Sequence, residues 1–254
     1  MKSIKSSNTD FRLTKAYSII TDFIFRIDNS IKNEPQLSFP RGFIIERIRQ
    51  IVEDTELSSI KGRFANPAMV TVIEQIETLT DNPYLSNSFG NKIRMDFGTG
   101  HELNFLCYLY SLVDGKDKKI ESPPIVVDCR GGLKIELCQV SSILTEYFRI
   151  IRFYVEKFNI EPAGSRGCWC IDDYLLLPYL FGSSECFNSS MPVELVGKGM
   201  FRESCMSNRS PMLKNICKLP WQKINHGMIK MYDEEVLGKK VVTQHFIYSD
   251  ILPI

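Results

Sequence analysis

All-α is the fold class this sequence predicts, and three observations predict it. Apolar residues recur at helical spacing through most long segments, strand-like alternation is thin, and capping residues bracket several of the helical stretches. The clearest stripe runs from Leu137 to Phe158, where Leu137, Val140, Ile143, Leu144, Tyr147, Ile151, Tyr154 and Phe158 share one face.

In chain order, a helix is expected over Ala16 to Ile31 through Ile19, Ile20, Phe23, Ile27 and Ile31, and Phe43 to Val52 continues the pattern. Asn66-Pro67 sets a capping side chain before a proline at the first helical position and opens Ala68 to Leu79. Leu103 to Val113 follows. Trp221 to Leu237 completes the main set, ended by Gly238. Pro178 lies inside the apolar run Leu175 to Phe181 and should bend or end that helix, leaving Asp172 and Asp173 near its beginning. Ile125-Val126-Val127 and Val241 to Tyr248 are the strand candidates; both are short and neither alternates. Irregular chain is expected at Asp114 to Gly132 and Ser183 to Ser210, and there is no internal repeat.

At 254 residues the chain can bury a sizeable core, as one large domain or as two lobes without an obvious linker. Lys plus Arg number 31 against 30 Asp plus Glu, which gives no electrostatic reason to expect nucleic acid or an anionic membrane. A specific protein partner suits that balance better. Of eight cysteines only Cys168 and Cys170 are tightly spaced, and the N-terminus is polar and charged through Lys15, so reduced thiols in a cytosolic or nuclear protein are expected. No apolar run approaches the ~20 residues that cross a bilayer, which predicts a soluble protein.

Two segments carry the chemistry. The run Phe89 to Glu102 gathers Arg94, Asp96, His101 and Glu102 around Gly98-Thr99-Gly100, with a helix expected just beyond, at Leu103. Glycines there permit close approach of the main chain to a ligand, and peptide N–H groups at a helix start suit an anion. The spacing is neither a dinucleotide fingerprint nor a P-loop. His101-Glu102 lacks the second histidine of a metalloprotease motif, and thiols one residue apart make Cys168 and Cys170 poor partners for His101 in a zinc site. His101 is expected instead to orient the turn through a hydrogen bond.

The second segment, Glu161 to Tyr174, combines Gly164 and Gly167 with Trp169 and the pair Asp172-Asp173. That pair fits either a helix cap or a magnesium site, since magnesium takes one or two carboxylates with backbone oxygens, water and phosphate. Trp169 reads as a half-buried ring or as the wall of a peptide groove. Ser183-Ser184 has no adjacent base and is a weak candidate nucleophile.

Together these two runs closely resemble the signature segments of the phosphotyrosyl phosphatase activator family. Leu176 to Ser184, Lys223 to Tyr232, and Val242-Thr243-Gln244-His245-Phe246 running into Leu252-Pro253 match in the same order, with a weaker block near Arg63-Phe64. The resemblance implies one domain over 1–254, all-helical, built of core, lid and linker subdomains. It implies ATP and magnesium in a deep pocket: Arg94, Thr99 and Gly100 on the phosphates, Gln244 and His245 approaching from the C-terminal segment, and Asp173 with the Gly167 carbonyl on magnesium. Asp96, Trp169 and Asp172 would line the groove for a proline-containing peptide.

By the same resemblance the expected activity is peptidyl-prolyl cis–trans isomerisation together with activation of protein phosphatase 2A. The partners would be its catalytic subunit and scaffold subunit, nucleotide would help load the phosphatase metals, and bound peptide would induce a homodimer. Cytoplasm, and also nucleus, is the expected location. The alternative is a non-catalytic assembly chaperone for the catalytic subunit. Cys168 and Cys170 stand where the family more often has Val and Gly, Lys92-Ile93 replaces Ser-Thr, and the stretch between Ser184 and Pro211 is shorter than is typical.

Overall fold

The computed structural model describes residues 10–254 except 61, 115–134, 165–170, 194–195, 197 and 209. Among the described residues the chain forms eleven α-helices and one pair of two-residue strands. The long helices are α1 (Lys15–Asn33), α2 (Ile44–Asp54), α3 (Ala68–Leu79), α5 (Thr99–Val113), α6 (Val140–Phe158) and α10 (Trp221–Tyr232). Shorter ones are α4 (Pro83–Ser86), α7 (Leu177–Glu185), α8 (Met200–Ser207), α9 (Pro211–Ile216) and α11 (Lys240–Thr243).

The helical stripes bury as their spacing requires. Along α1, Ile20, Phe23, Ile24, Ile27 and Ile31 are interior, each stabilising the fold by roughly 1.5–3 kcal/mol. The Thr14 hydroxyl caps its start by accepting the Tyr17 N–H. On α6, Tyr147 lies flat against Phe105 of α5, ring centres 3.7 Å apart, and its hydroxyl donates to the Ser88 carbonyl. Asn159 ends α6 in the left-handed conformation, with φ of 48°, a position open to Asn.

Several boundaries differ from the sequence expectation, each for a local reason. Helix α5 starts at Thr99 rather than Leu103, because Gly98 already serves as its cap and its carbonyl accepts the His101 and Glu102 N–H groups. Pro178 neither bends nor ends α7; it occupies the first turn, where a missing N–H costs nothing. The segment after Val241 is helical through Thr243 rather than a strand, and α8 lies within the stretch expected to be irregular. Gly238 follows a widened last turn over Asp233–Leu237 with φ of −86°, so it stops the helix without the left-handed geometry. Ile125-Val126-Val127 lies outside the described residues.

A buried polar network joins α1, α7 and α10. Asp28 accepts from Lys32, from the Ser184 hydroxyl and from the Asn225 amide, and Asn225 in turn accepts from Lys32. Ser184 also donates to the Leu180 carbonyl and is interior. Its environment is that of a packing residue, not of a nucleophile open to substrate.

Candidate functional site

Strand β1 (Asp96–Phe97) pairs in parallel with β2 (Glu161–Pro162), Asp96 opposite Glu161. The pairing continues as the Ala163 N–H donates to the Phe97 carbonyl over 2.7 Å. It delivers the two motif-bearing segments side by side. A β-carbon on Gly98 would sit 2.9 Å from that of Ala163, closer than such atoms come, so glycine is required there. The reason is tight packing of two chains. Gly98 itself is extended (φ −172°), and Gly100 is an ordinary helical residue, so neither glycine uses a conformation closed to other residues.

Arg94 and Asp96 belong to a tight turn hung from Asn91. The Asn91 side-chain oxygen accepts the N–H groups of Ile93 and Arg94, and Met95 takes the left-handed region at φ 52°. Gly90, at φ 103°, has the Asp96 carbonyl only 2.8 Å from where its β-carbon would be. Within the turn the Arg94 Nε donates to both Asp96 oxygens, at 2.9 and 3.2 Å. Two residues that the resemblance assigns to different ligands therefore bind each other. The Arg94 side chain is 45 % exposed, so a guanidinium fork is present at the surface.

His101 is buried on the first turn of α5. Its ring lies 5.5 Å from that of Phe97, and Nδ1 faces the Asn87 carbonyl at 2.7 Å, which assigns the proton to Nδ1. Burial holds its pKa below the usual histidine value, and nearby Arg94 and His245 push the same way. A neutral imidazole locking the turn is the result.

Glu102, one residue on, is fully buried. Its carboxylate accepts the Leu176 N–H at 2.9 and 3.1 Å and the Leu177 N–H at 2.8 Å, capping the start of α7 from another helix. Sequence reasoning noted this carboxylate without a role, since its donors lie far along the chain. Asp172 is likewise turned inward. One of its oxygens accepts from Arg152 of α6 and from the Tyr179 hydroxyl, and the other from the N–H groups of Tyr174 and Leu175. These last bonds close a turn at Tyr174 and Leu175, before α7 begins at Leu177, so Asp172, 3 % exposed, steadies the approach to that helix while Glu102 caps it. Asp173 is half-buried and close enough to Tyr174 to help raise that phenol's pKa to about 12, after burial and Glu161. Gly167 and Trp169 lie outside the described residues.

The C-terminal segment closes the corner. Val242 lies 3.6 Å from where a β-carbon on Gly100 would be, and α11 packs on α5. Gln244 and His245 follow at the surface, the Gln244 amide donating to the Val241 carbonyl. Thr99 is buried at the first position of α5. The structure thus brings Arg94, Asp96, Thr99, Gly100 and His245 around one helix start and ties the 161–177 segment to it through β2 and Glu102.

Chemically the corner offers a guanidinium, a helix N-terminus that opens on Gly98 and a half-buried carboxylate. That donor set suits a phosphate with a hard cation. Among the described residues no three His, Cys, Asp or Glu side chains gather as a metal cage, and magnesium, which prefers few carboxylates, needs none. Two concavities lie elsewhere. An open cleft of about 720 Å³ runs between residues 188–192 and 217–222, and a smaller one of about 170 Å³ lies beside Arg49 and Arg149. No helix among the described residues is long and apolar enough to cross a membrane.

The comparisons with known proteins agree on one family. A family model described as phosphotyrosyl phosphate activator (PTPA) protein matches residues 2–203 and 193–254. The serine/threonine-protein phosphatase 2A activator of Encephalitozoon cuniculi (strain GB-M1) is 45 % identical over 248 residues, covering 96 % of this chain and 94 % of that protein. Activator 1 of Schizosaccharomyces pombe is 30 % identical over 98 % of this chain and 88 % of its own length. Among solved structures, that of the PP2A phosphatase activator Ypa1 superposes with a TM-score of 0.73 at 22 % identity, covering all of this chain and 94 % of that one, and establishes the likeness of fold.

Proposed function

This chain belongs to the phosphotyrosyl phosphatase activator (PTPA) family, and from that membership we propose that it activates serine/threonine protein phosphatase 2A by binding the catalytic subunit across the corner at the start of α5. The observation that carries the proposal is convergence. Segments 94–102, 161–177 and 242–245, far apart in sequence, are held together by the β1–β2 pairing, the Glu102 cap and the packing of Val242 on Gly100.

In this reading magnesium-ATP occupies the corner. Arg94, now bonded to Asp96, would hold phosphate through its guanidinium, and the Thr99 and Gly100 end of α5 would add peptide N–H groups. Asp173, with the Gly167 carbonyl, would hold magnesium, and Gln244 and His245 would approach the nucleotide from the tail. Nucleotide placed at the edge of the phosphatase would help that enzyme take up its own metals.

The same corner is proposed to turn a proline peptide bond. Such rotation needs no nucleophile, only preference for the twisted form over planar amides separated by a barrier of ~18–20 kcal/mol. Asp96, Trp169 and Asp172 would line the groove, Asp96 being more exposed than Asp172. Scaffold-subunit contact and peptide-induced pairing of two copies belong to the same reading.

The test is retention of the phosphatase catalytic subunit by the immobilised protein, with and without magnesium-ATP. Retention strengthened by nucleotide is the expected result. Retention indifferent to nucleotide would make the protein an assembly chaperone, and no retention in either condition would overturn the proposal.

A further inference from the structure

The sulfurs of Cys205 and Cys217 lie 4.0 Å apart. Cys205 stands near the end of α8, one turn beyond Phe201, and Cys217 stands at the C-terminal end of α9. Neither is in a disulfide, both are partly exposed, and Cys217 lines the open cleft of about 720 Å³. Among the described residues no other two cysteine sulfurs are in contact. The separation exceeds a disulfide bond, about 2.05 Å; it is also short enough for modest rotation of the two side chains to close it.

We propose that Cys205 and Cys217 are a reversible dithiol–disulfide pair, a modification site oxidised by peroxide and reset by a thiol reductant. The Cys217 thiolate attacks one peroxide oxygen, breaking the O–O bond; the sulfur becomes a sulfenic acid and the other oxygen leaves as water after protonation. The Cys205 sulfur then attacks the sulfenic sulfur, the S–S bond forms, and the sulfenic oxygen leaves as a second water with the Cys205 proton. Two electrons pass from the thiols to peroxide. A reducing dithiol returns them by exchange through a mixed disulfide.

The division of roles follows from position. The Cys205 thiol is held protonated, first by its hydrogen bond to Cys217 and then by burial, whereas Cys217 faces the cleft through which peroxide arrives. Structural disulfides are rare in reducing compartments, where transient redox-sensing ones persist. The bond would fasten α8 to α9 beside Trp221, whose ring meets Phe201 edge-on at 5.2 Å. That stiffens one wall of the cleft. The inference is independent of the phosphatase reading.

The full-length protein treated with hydrogen peroxide, alkylated and digested with trypsin supplies the test, because cleavage after Arg202, Arg209, Lys214 and Lys218 separates the two cysteines. Expected is a crosslink between the 203–209 and 215–218 peptides that dithiothreitol removes, with both thiols lost together while buried Cys107 stays reduced. In a Cys205→Ser protein that keeps its helical circular dichroism, Cys217 should instead be trapped as a sulfenic acid by a cyclic 1,3-dione. Over-oxidation of Cys217 beside an intact Cys205 thiol, or crosslinks only to other cysteines, would overturn the proposal. Should Cys205→Ser fail to fold, the crosslink in the natural sequence decides alone.

Discussion

The carboxylate of Glu102 sits over the backbone of Leu176, accepting its N–H at 2.9 and 3.1 Å and the next N–H, of Leu177, at 2.8 Å. One buried side chain thereby joins the helix that begins at Thr99 to the segment that carries Asp172 and Asp173. Because the carboxylate and both N–H groups are buried, these bonds tie the two motif-bearing segments together where they meet.

Removing that carboxylate should loosen the join. Glu102→Ala leaves two buried N–H groups without their acceptor and is expected to cost about 2–4 kcal/mol in urea unfolding, with Glu102→Gln losing less because its amide oxygen still accepts. Equal stability of both variants to the parent would show that the cap contributes nothing.

The two glycines of the turn should respond in opposite ways. At Gly98 an added methyl meets Ala163 at 2.9 Å and should destabilise by roughly 1–3 kcal/mol, with Ala163→Gly in the same chain restoring most of it. At Gly100 an added methyl makes ordinary contact with Val242 inside a helix, so Gly100→Ala should stabilise by about 0.5–1 kcal/mol. If the α5 start binds phosphate, that same variant should still weaken magnesium-ATP binding in calorimetry.

Magnesium-ATP binding separates the surface charges from the buried ones. Arg94→Ala and Asp173→Ala are each expected to weaken it by about 10- to 100-fold, the loss of a charge-assisted contact, while far-ultraviolet circular dichroism stays unchanged. Unaltered titrations for both would remove nucleotide from this corner.

Glu185 gives a pH dependence with a definite sign. Glu185 is exposed as a whole, but its carboxyl accepts the Met200 N–H at 2.9 Å, and desolvation of that end, with Glu203 nearby, pushes its pKa up from 4.5 to about 7. Between those values the folded chain keeps a proton that the unfolded chain has released. The group's contribution is therefore fully present below pH ~4.5 and is lost as pH rises through ~7, a change that the exposure of this side chain to solvent keeps small. Glu185→Gln keeps an acceptor and cannot ionise, so its melting temperature should match the parent near pH 4.5 and exceed it at pH 8. Parallel curves would refute this.

What the residues alone determined is what depends on near neighbours. The stripe from Leu137 to Phe158, the Asn66-Pro67 start and the run Ile19 to Ile31 set helices because helical contacts span three or four positions. Local rules became ambiguous at Pro178, which can end a helix or open one, and at the turn before Leu103, where a glycine cap moved the start forward by a turn. Only tertiary structure decided the roles of the polar groups. Glu102 bonds a partner 74 residues away and Asp28 one 197 residues away. Of two adjacent aspartates, Asp172 was drawn inward by Arg152, leaving Asp173 half-buried. A carboxylate's identity says that it needs donors; which donors it meets depends on where distant segments come to rest.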